Sequence, residues 1–260
     1  MLTFNSQKDL RRALESVRDF DEIVINDGGS TDDTLQIAAE YGCRVIAQDA
    51  KFKNPDNTLK DIGGLRNQVV DASTHDWVLI LDSDESISDG LREEIRAAVK
   101  MQGPLIYRVP MRMHIGDREI LYSSNYPGYQ YRFFNRKSGA RFIRPVHNKI
   151  AFDTTLSTGT FKNPWNVYWE TKDVDEYDTR SFKYIAEELK SFPNLSVWDY
   201  FTYHIPWHSR VIIAVIVKTL RDRTLHSFGA CMPLKIEFGR VRFQVRLLME
   251  MGKKVFQTKL

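Results

Sequence analysis

The chain has 260 residues, of which 42% are hydrophobic and 27% are charged, and its net charge is +3. This composition excludes a disordered chain and allows one substantial core. Its two cysteines, Cys43 and Cys231, are far apart and lack metal-type spacing, which excludes a disulfide framework and favours a reducing compartment.

Charge is unevenly distributed along the sequence. Residues 207–260 contain 11 Lys and Arg against 3 Asp and Glu, a balance of +8, whereas residues 1–206 carry −5. No apolar run approaches the roughly 20 residues that span a bilayer, and charged residues interrupt the first positions. We therefore expect a cytoplasmic protein whose basic, amphipathic, helical tail contacts an anionic membrane surface on the inner face of the membrane. The alternative is a helical cap with a basic exposed face; no recognisable module indicates nucleic-acid binding.

The first hundred residues alternate helix-like and strand-like segments. Helices are predicted after Ser6, after Ser30 with Asp33 at its third position, from about Gly64 to Ala72, and after Ser88. Strands are predicted at residues 22–26, 44–47 and 77–81. This βαβα rhythm predicts an α/β fold with a mostly parallel sheet flanked by helices.

From residue 105 to about 153 the pattern changes to short, aromatic-rich runs. We interpret these runs as a mixed β extension of the sheet. An amphipathic helix is predicted over residues 178–191, and the basic segment, residues 207–260, follows it.

Polar side chains follow three of the predicted strands. Thr3 and Asn5 lie at the end of a short first strand, residues 1–4. Residues 27–31 follow the strand at 22–26, and residues 82–85 follow the most apolar strand, at 77–81. Because ligands bind in the crevice outside the carboxyl ends of parallel strands, position alone nominates these residues.

Asp82 and Asp84 flank Ser83 directly after the apolar strand. Two carboxylates at this spacing suit Mg²⁺ or Mn²⁺, which keeps several waters and completes its shell with diphosphate oxygens. The alternative is an acidic turn whose side chains cap the next helix.

Two further motifs suggest ligand binding, and each also has an ordinary structural explanation. In NDGGSTDDT, residues 26–34, Asp27 can accept from a base imide, and Gly29 allows the backbone to approach a ligand closely. In GGLRN, residues 63–67, Arg66 supplies a cation for a phosphate or base. Taken singly, the first is also a well-capped turn, and the second can be a solvated arginine.

Together, the segments FDEIVINDGGSTDDT, GGLRNQ and HDWVLILDSDES resemble glycosyltransferase family 2 on the Rossmann-like GT-A fold. They are similar in particular to the branch of bacterial lipopolysaccharide-core and capsule β-glucosyltransferases. The resemblance implies an inverting enzyme with a UDP-sugar donor and a glycan or lipid-linked acceptor. It implies that Asp27 and Arg66 contact the nucleoside, that Asp82 lies near ribose and metal, and that Asp84 binds the metal.

On this basis we predict a GT-A domain over residues 1–206, with a nucleotide-binding half up to about 104 and an acceptor half from about 105. Residues 207–260 form the tail. Thr3, Asn5, Gly29, Ser83 and Arg132 are predicted to complete the donor site, with Arg132 directed at diphosphate or an anionic acceptor.

The catalytic base is less clear, because the later family motif usually reads VHE and this chain has Asn148 after His147. An amide cannot take up a proton. The candidates are His147, which is alternatively a metal ligand or a packed ring, and Glu85, beside the aspartate pair.

Three alternatives stay open. The first strand comprises only residues 1–4, so we expect a missing upstream segment. A degenerate domain that binds nucleotide-sugar without transfer is possible on the same motifs. A haloacid-dehalogenase-like phosphotransferase also has a DxD after an apolar strand, but that family would place this strand first.

Overall fold

The computed structural model describes residues 1–54, 59–143, 150–190 and 192–257. The chain divides into two compact units. The first comprises Met1–Arg112 and Pro127–Val167, and the second comprises Met113–Tyr126 and Tyr168–Leu260. The second unit therefore contains the basic segment together with residues 168–206.

The elements of the first half alternate between strands and helices. In order they are β1 (Leu2–Thr3), α1 (Gln7–Val17), β2 (Val24–Asp27), α2 (Thr34–Glu40), β3 (Arg44–Ala47), α3 (Ile62–Ala72), β4 (Trp77–Leu79), β5 (Glu85–Ile87), α4 (Asp89–Lys100) and β6 (Ile106–Ile115).

The remaining elements begin with short strands and end with long helices. They are β7 (Arg118–Ile120), β8 (Tyr129–Asn135), β9 (Arg141–Phe142), β10 (Ile150–Ala151), β11 (Thr158–Thr160), β12 (Trp165–Trp169), α5 (Thr171–Asp175), α6 (Tyr177–Lys190), α7 (Val197–Asp199), a π-helical turn (Tyr200–His204), α8 (Ile205–Leu225) and α9 (Leu234–Gln257).

The parallel part of the first unit is the sheet β1–β2–β3. Thr3 lies opposite Asp27, and Asp27 opposite Ala47, so the carboxyl ends of these strands are aligned. Leu10 and Leu14 of α1 pack with Ile25 of β2 and Ile37 of α2 in one buried cluster. The predicted strand at residues 44–47 and the α/β class are confirmed.

The second helix begins later than predicted. Asp33 occupies its N-cap position and the helix starts at Thr34. Ser30 is not the cap, because its hydroxyl donates to Asp27 Oδ1 over 2.6 Å. The helix cap predicted at Ser88 does form. Ser88 Oγ accepts from the Leu91 amide over 3.2 Å, at the start of α4.

The mixed extension of the first unit is built on antiparallel pairs. Strand β8 lies between β4 and β6, and β12 pairs with β5. Phe133 of β8 and Trp165 of β12 are almost fully buried and share a core cluster with Leu91 of α4. The predicted mixed extension is therefore confirmed.

A buried ion pair joins three of these strands. The guanidinium of Arg132 on β8 donates from both Nη atoms to the carboxylate of Glu85 on β5, with Nη2 to Oε1 at 2.9 Å. Trp165 Nε1 on β12 donates to the same carboxylate over 3.1 Å, and the Arg132 guanidinium lies 4.2 Å from the Trp165 ring centre. Each charged side chain is only 6% exposed. The pair is thus satisfied internally, as a buried charge must be.

The second unit is mainly helical. Helices α6 and α9 pack through Ile185, Leu247 and Met251. Glu237 of α9 is 2% exposed and accepts from the Ser124 amide over 2.9 Å and from Arg240 over 2.9 Å, which fixes the segment after β7 to α9. Within the described ranges, no helix has both the length and the apolar character needed to cross a membrane.

We expect the Glu85–Arg132 pair to be a major contributor to the stability of the first unit. Glu85→Gln or Arg132→Gln leaves the partner charge buried and unpaired, so each should lower the free energy of unfolding by about 3–5 kcal/mol. The double variant should recover part of this loss. Urea denaturation measures the effect.

The matched control is the exposed pair Glu93–Arg96, whose side chains are 68% and 47% exposed. Glu93→Gln should cost no more than about 1 kcal/mol. Equal losses in Glu85→Gln and Glu93→Gln would contradict the assigned role of the buried pair.

Candidate functional site

The carboxyl ends of β1 and β2 meet at Thr3 and Asp27. Because these residues are opposite each other in the parallel pair, the Thr3 hydroxyl donates to Asp27 Oδ1 over 2.8 Å. The amides of Gly29 and Ser30 donate to Oδ2, each over 2.8 Å. With the Ser30 hydroxyl also bonded to Oδ1, Asp27 accepts four hydrogen bonds from its own neighbourhood.

These contacts set the charge state of Asp27. Burial by itself raises the pKa of this carboxyl, but the hydrogen bonds from Ser30, Thr3 and Gly29 outweigh burial and hold the pKa below its usual range. Asp27 is therefore ionised at neutral pH and organises the turn after β2. Its contact with a base stays a prediction.

Two left-handed residues lie at these strand ends, one in the turn after β2 and one after β1. Gly29 has φ 93° and Asn5, which faces it from the end of β1, has φ 48°. Asn5 Oδ1 accepts from the Thr31 amide over 2.9 Å, and the Asn5 amide donates to Ser30 Oγ over 2.9 Å. No atom of the described residues lies within 4 Å of a Cβ built at Gly29, so backbone conformation, and not lack of space, favours glycine there.

Arg66 and Asp82 form the second part of the site. Arg66 on α3 is 7% exposed, and its Nη2 donates to both carboxylate oxygens of Asp82, over 2.7 and 2.8 Å. Burial raises the pKa of Asp82, but the positive charges of Arg66 and Arg132 lower it further than burial raises it, so the net shift is downward. Arg66 Nε is buried without a hydrogen-bond partner in the described structure.

Gly64, two residues before Arg66, lies in the first turn of α3. The Gly64 amide donates to the N-cap residue, with Asp61 Oδ1 2.8 Å away. A Cβ at Gly64 would lie 2.3 Å from the ring of Phe52. Gly64 therefore allows close packing at the start of α3.

Asp84 is the exposed member of the acidic pair. Desolvation, followed by the negative charge of Asp82, raises its pKa. Among the described side chains, no basic residue forms an ion pair with Asp84; Arg12 Nη2 lies 3.4 Å from its backbone oxygen. Between the two aspartates, Ser83 Oγ donates to Ser6 Oγ over 3.2 Å, which ties this turn to the start of α1.

The donor set at this turn fits a hard divalent cation that keeps several water ligands. The Asp84 carboxylate forms no ion pair with the described side chains, and the oxygens of Asp82 retain lone pairs beyond those used by Arg66. No group of three or more His, Cys, Asp or Glu that could hold a metal exists in the part of the chain that the structure describes.

Two predicted site residues are corrected by the structure. Glu85 does not suit the role of catalytic base, because it is 5% exposed and both its oxygens accept from Arg132. Arg132 does not suit a diphosphate, because it is 5% exposed and both its Nη atoms donate to Glu85. The remaining candidate base, His147, lies outside the described residues.

Two residues near the turn after β2 were missed in the sequence. Lys53 Nζ donates to the backbone oxygen of Gly28 over 3.0 Å. Gln48 Nε2 donates to the backbone oxygen of Asn26 over 3.2 Å. The only signal was the polar composition of residues 49–61, which does not single out Lys53.

Comparison with known proteins identifies a family whose model matches this chain. The model of the family described as glycosyl transferase family 2 matches residues 1–154. An uncharacterized glycosyltransferase of Rickettsia felis is 29% identical over 202 residues, covering 73% of this chain and 68% of that protein.

Two other relatives are longer proteins. The SPbeta prophage-derived glycosyltransferase SunS of Bacillus subtilis is 24% identical over 77% of this chain and 47% of its own length. A TPR repeat-containing protein of Synechococcus elongatus is 30% identical over 65% of this chain and 38% of its own length. The chain thus spans less than half of each.

Similar solved structures include residues 1–349 of TarS from S. aureus, with 13% identity and a TM-score of 0.46 over 96% of this chain and 90% of that one. Glucosyl-3-phosphoglycerate synthase from Mycobacterium tuberculosis, in complex with Mn²⁺ and UDP-glucose, has 22% identity and a TM-score of 0.32 over 44% of this chain and 41% of that one. Both TM-scores are too low for these likenesses to inform the site.

The family match includes the turns after β1, β2 and β4, and the α/β architecture agrees with the GT-A fold expected from these motifs. Since the matched residues make up more than half of the chain, the chain belongs to glycosyl transferase family 2.

Proposed function

We propose that this glycosyltransferase uses a UDP-sugar and a divalent cation, and transfers the sugar with inversion to a glycan or lipid-linked acceptor. The observation that carries the proposal is that one of the two aspartates is paired with an arginine and the other is not. Asp82 is neutralised by buried Arg66, whereas Asp84 is exposed beside it and unpaired among the described side chains. A free carboxylate next to a compensated one can bind a cation that also contacts an anionic donor.

Each part of the site has a proposed role toward the donor. The turn organised by Asp27 receives the nucleoside, with Thr3, Asn5 and Gly29 shaping it. Arg66 orients Asp82 near the ribose, and Ser83 fixes the turn between the aspartates. When bound, Mg²⁺ or Mn²⁺ held by Asp84 and Asp82 neutralises charge on the diphosphate.

The transfer itself needs an acceptor hydroxyl in line with the leaving group. The hydroxyl oxygen forms a bond to the anomeric carbon as the bond from that carbon to the diphosphate breaks, and a base takes up the hydroxyl proton. The pairing of Glu85 with Arg132 argues against this role for Glu85. His147 stays the proposed base.

The acceptor is proposed to belong to cell-envelope polysaccharide synthesis, as the resemblance to lipopolysaccharide-core and capsule enzymes implies. Such acceptors lie at the inner face of the membrane. The basic segment, residues 207–260, is proposed to contact anionic lipid there. Membership of the family excludes the haloacid-dehalogenase-like alternative.

The direct test is incubation with a panel of radiolabelled nucleotide-sugars and Mn²⁺ or Mg²⁺, scoring transfer to a glycan acceptor or hydrolysis of the donor. We expect turnover with a UDP-sugar that is lost on adding a chelator. Binding without turnover would instead indicate a degenerate domain, an outcome consistent with Asn148 in place of the usual acid.

We expect Asp84→Asn to abolish metal-dependent turnover, with a loss of about 100-fold or more, because a direct ligand should matter at least as much as its outer-shell partners. Steady-state rates and calorimetric titration with Mn²⁺ and UDP measure this loss. Asp71→Asn is the matched control, since its carboxylate is 61% exposed and pairs only at the surface with Arg141. Equal activity of the two variants would refute the metal assignment.

We expect Asp27→Asn to weaken UDP binding by roughly 10- to 100-fold, because charge-assisted hydrogen bonds within the turn are lost. Comparing UDP with GDP separates two roles. A loss confined to UDP shows contact with the base, whereas an equal loss for both nucleotides shows that Asp27 only organises the turn. Unchanged affinity for UDP would remove Asp27 from the site.

A further inference from the structure

Helix α8 and the turn before it present an exposed apolar face. Tyr203 and Trp207 are four residues apart, Ile213, Val217 and Leu220 follow at i, i+4 and i+7, and all five are between 53% and 61% exposed. We call these five residues the α8 stripe. Large apolar side chains contiguous along a helix and exposed to this degree mark an interaction surface.

The basic residues of the same segment are mostly engaged within the second unit. Their partners are the Ser124 and Tyr126 carbonyls for Lys218, Asp222 for Arg221, the Met232 carbonyl for Arg223, Asp175 for Lys235, Glu237 for Arg240, Asp178 for Arg242, the Phe182 ring for Arg246, Glu250 for Lys253 and the Leu189 and Phe192 carbonyls for Lys254.

These contacts reduce the positive charge that the segment can present to a membrane. A polybasic patch attracts anionic lipid through charges that are free to face it. Here much of the positive charge is balanced by acidic residues or held by backbone carbonyls. The apolar stripe is therefore the stronger candidate for the contact itself.

The charge around the stripe is nevertheless positive. Arg210 is exposed on α8, and Arg221 pairs with Asp222, but the Arg221 side chain is 56% exposed whereas that of Asp222 is only 4% exposed. Such a border complements anionic headgroups. It disfavours a second copy of the same stripe, because an isologous contact would place the arginines of the two copies against each other.

The side chains also suit an interface between water and lipid. Trp207 and Tyr203 stack with parallel rings, their centres 6.4 Å apart, toward the start of the stripe. Trp198 and Phe201, 76% and 53% exposed, precede them. Trp and Tyr are enriched at headgroup depth, where an apolar ring and a polar tip are both accommodated.

We propose that the α8 stripe lies in the headgroup region of an anionic bilayer, with the helix parallel to the surface, and that burial of its apolar side chains supplies most of the binding. The inference rests on the membrane contact proposed above and not on sugar transfer. The contact is thereby assigned to one face of α8 and to apolar burial, rather than to the net charge of the segment.

The test uses the whole chain and cosedimentation with vesicles of phosphatidylcholine containing a quarter phosphatidylglycerol. We expect binding that survives 0.5 M NaCl, because salt screens exposed charges but not apolar burial. The triple variant Trp207→Ser, Val217→Ser, Leu220→Ser should bind roughly tenfold more weakly or worse.

Two control variants separate the driving forces. Val99→Ser, at an apolar residue of α4 that is 46% exposed, should bind vesicles like the wild type. Arg242→Gln with Lys253→Gln removes charge from α9 and should reduce binding by less than the triple variant does. The proposal would be refuted if vesicle binding depended on the α9 charges and on salt while the triple variant bound normally.

Other outcomes also bear on the proposal. No vesicle binding by the wild type would reject the membrane contact itself, with sugar transfer still assayed separately on soluble acceptors. Dimerisation of the wild type, abolished in the triple variant, would make a second copy the occupant. If the triple variant does not fold, quenching of tryptophan fluorescence by brominated lipid, reduced in Trp207→Phe, supports the same conclusion; unchanged quenching overturns it.

Discussion

The first unit depends on how three carboxylates in four residues are accommodated at the end of β4. Buried arginines balance two of them, Arg66 for Asp82 and Arg132 for Glu85. The third, Asp84, is left exposed. Removing a charge from water is costly unless a partner and hydrogen bonds replace the lost hydration, so each buried carboxylate fixes the position of its arginine. Helix α3 and strand β8, which carry these arginines, are thereby held around the candidate donor site.

Most helices and strands of the first hundred residues could be predicted, because their signals are local, but strand β5 could not. The apolar spacing of Leu10 and Leu14, and Ser88 before α4, depend only on neighbours within a turn or two. The strand-end position of Asp27 and Asp82 followed from the same signals. The start of α2 was misplaced because Ser30 bonds to Asp27, and a serine that can cap a helix can equally bond to a nearby carboxylate.

The roles of Glu85 and Arg132 could not be predicted, since they depend on contacts between distant parts of the sequence. Glu85 follows Asp84 directly and looks equally acidic, but it begins strand β5, which pairs with β12 about eighty residues later. The partner on β8 is also distant. A count of charges along the basic segment has the same weakness, because folding sets Asp175 and Asp178 against Lys235 and Arg242.

The buried arginines also bear on the charge that a donor would meet. Three uncompensated carboxylates at one strand end would repel a diphosphate, whereas pairing leaves about one negative charge at Asp84. In the proposed complex, a divalent cation and a diphosphate would then bring this end of the sheet close to neutrality, with Asp84 directed at the cation. In that proposed complex, Arg132 would favour donor binding without touching the donor, because it removes the charge of Glu85 from the electrostatic field at the site.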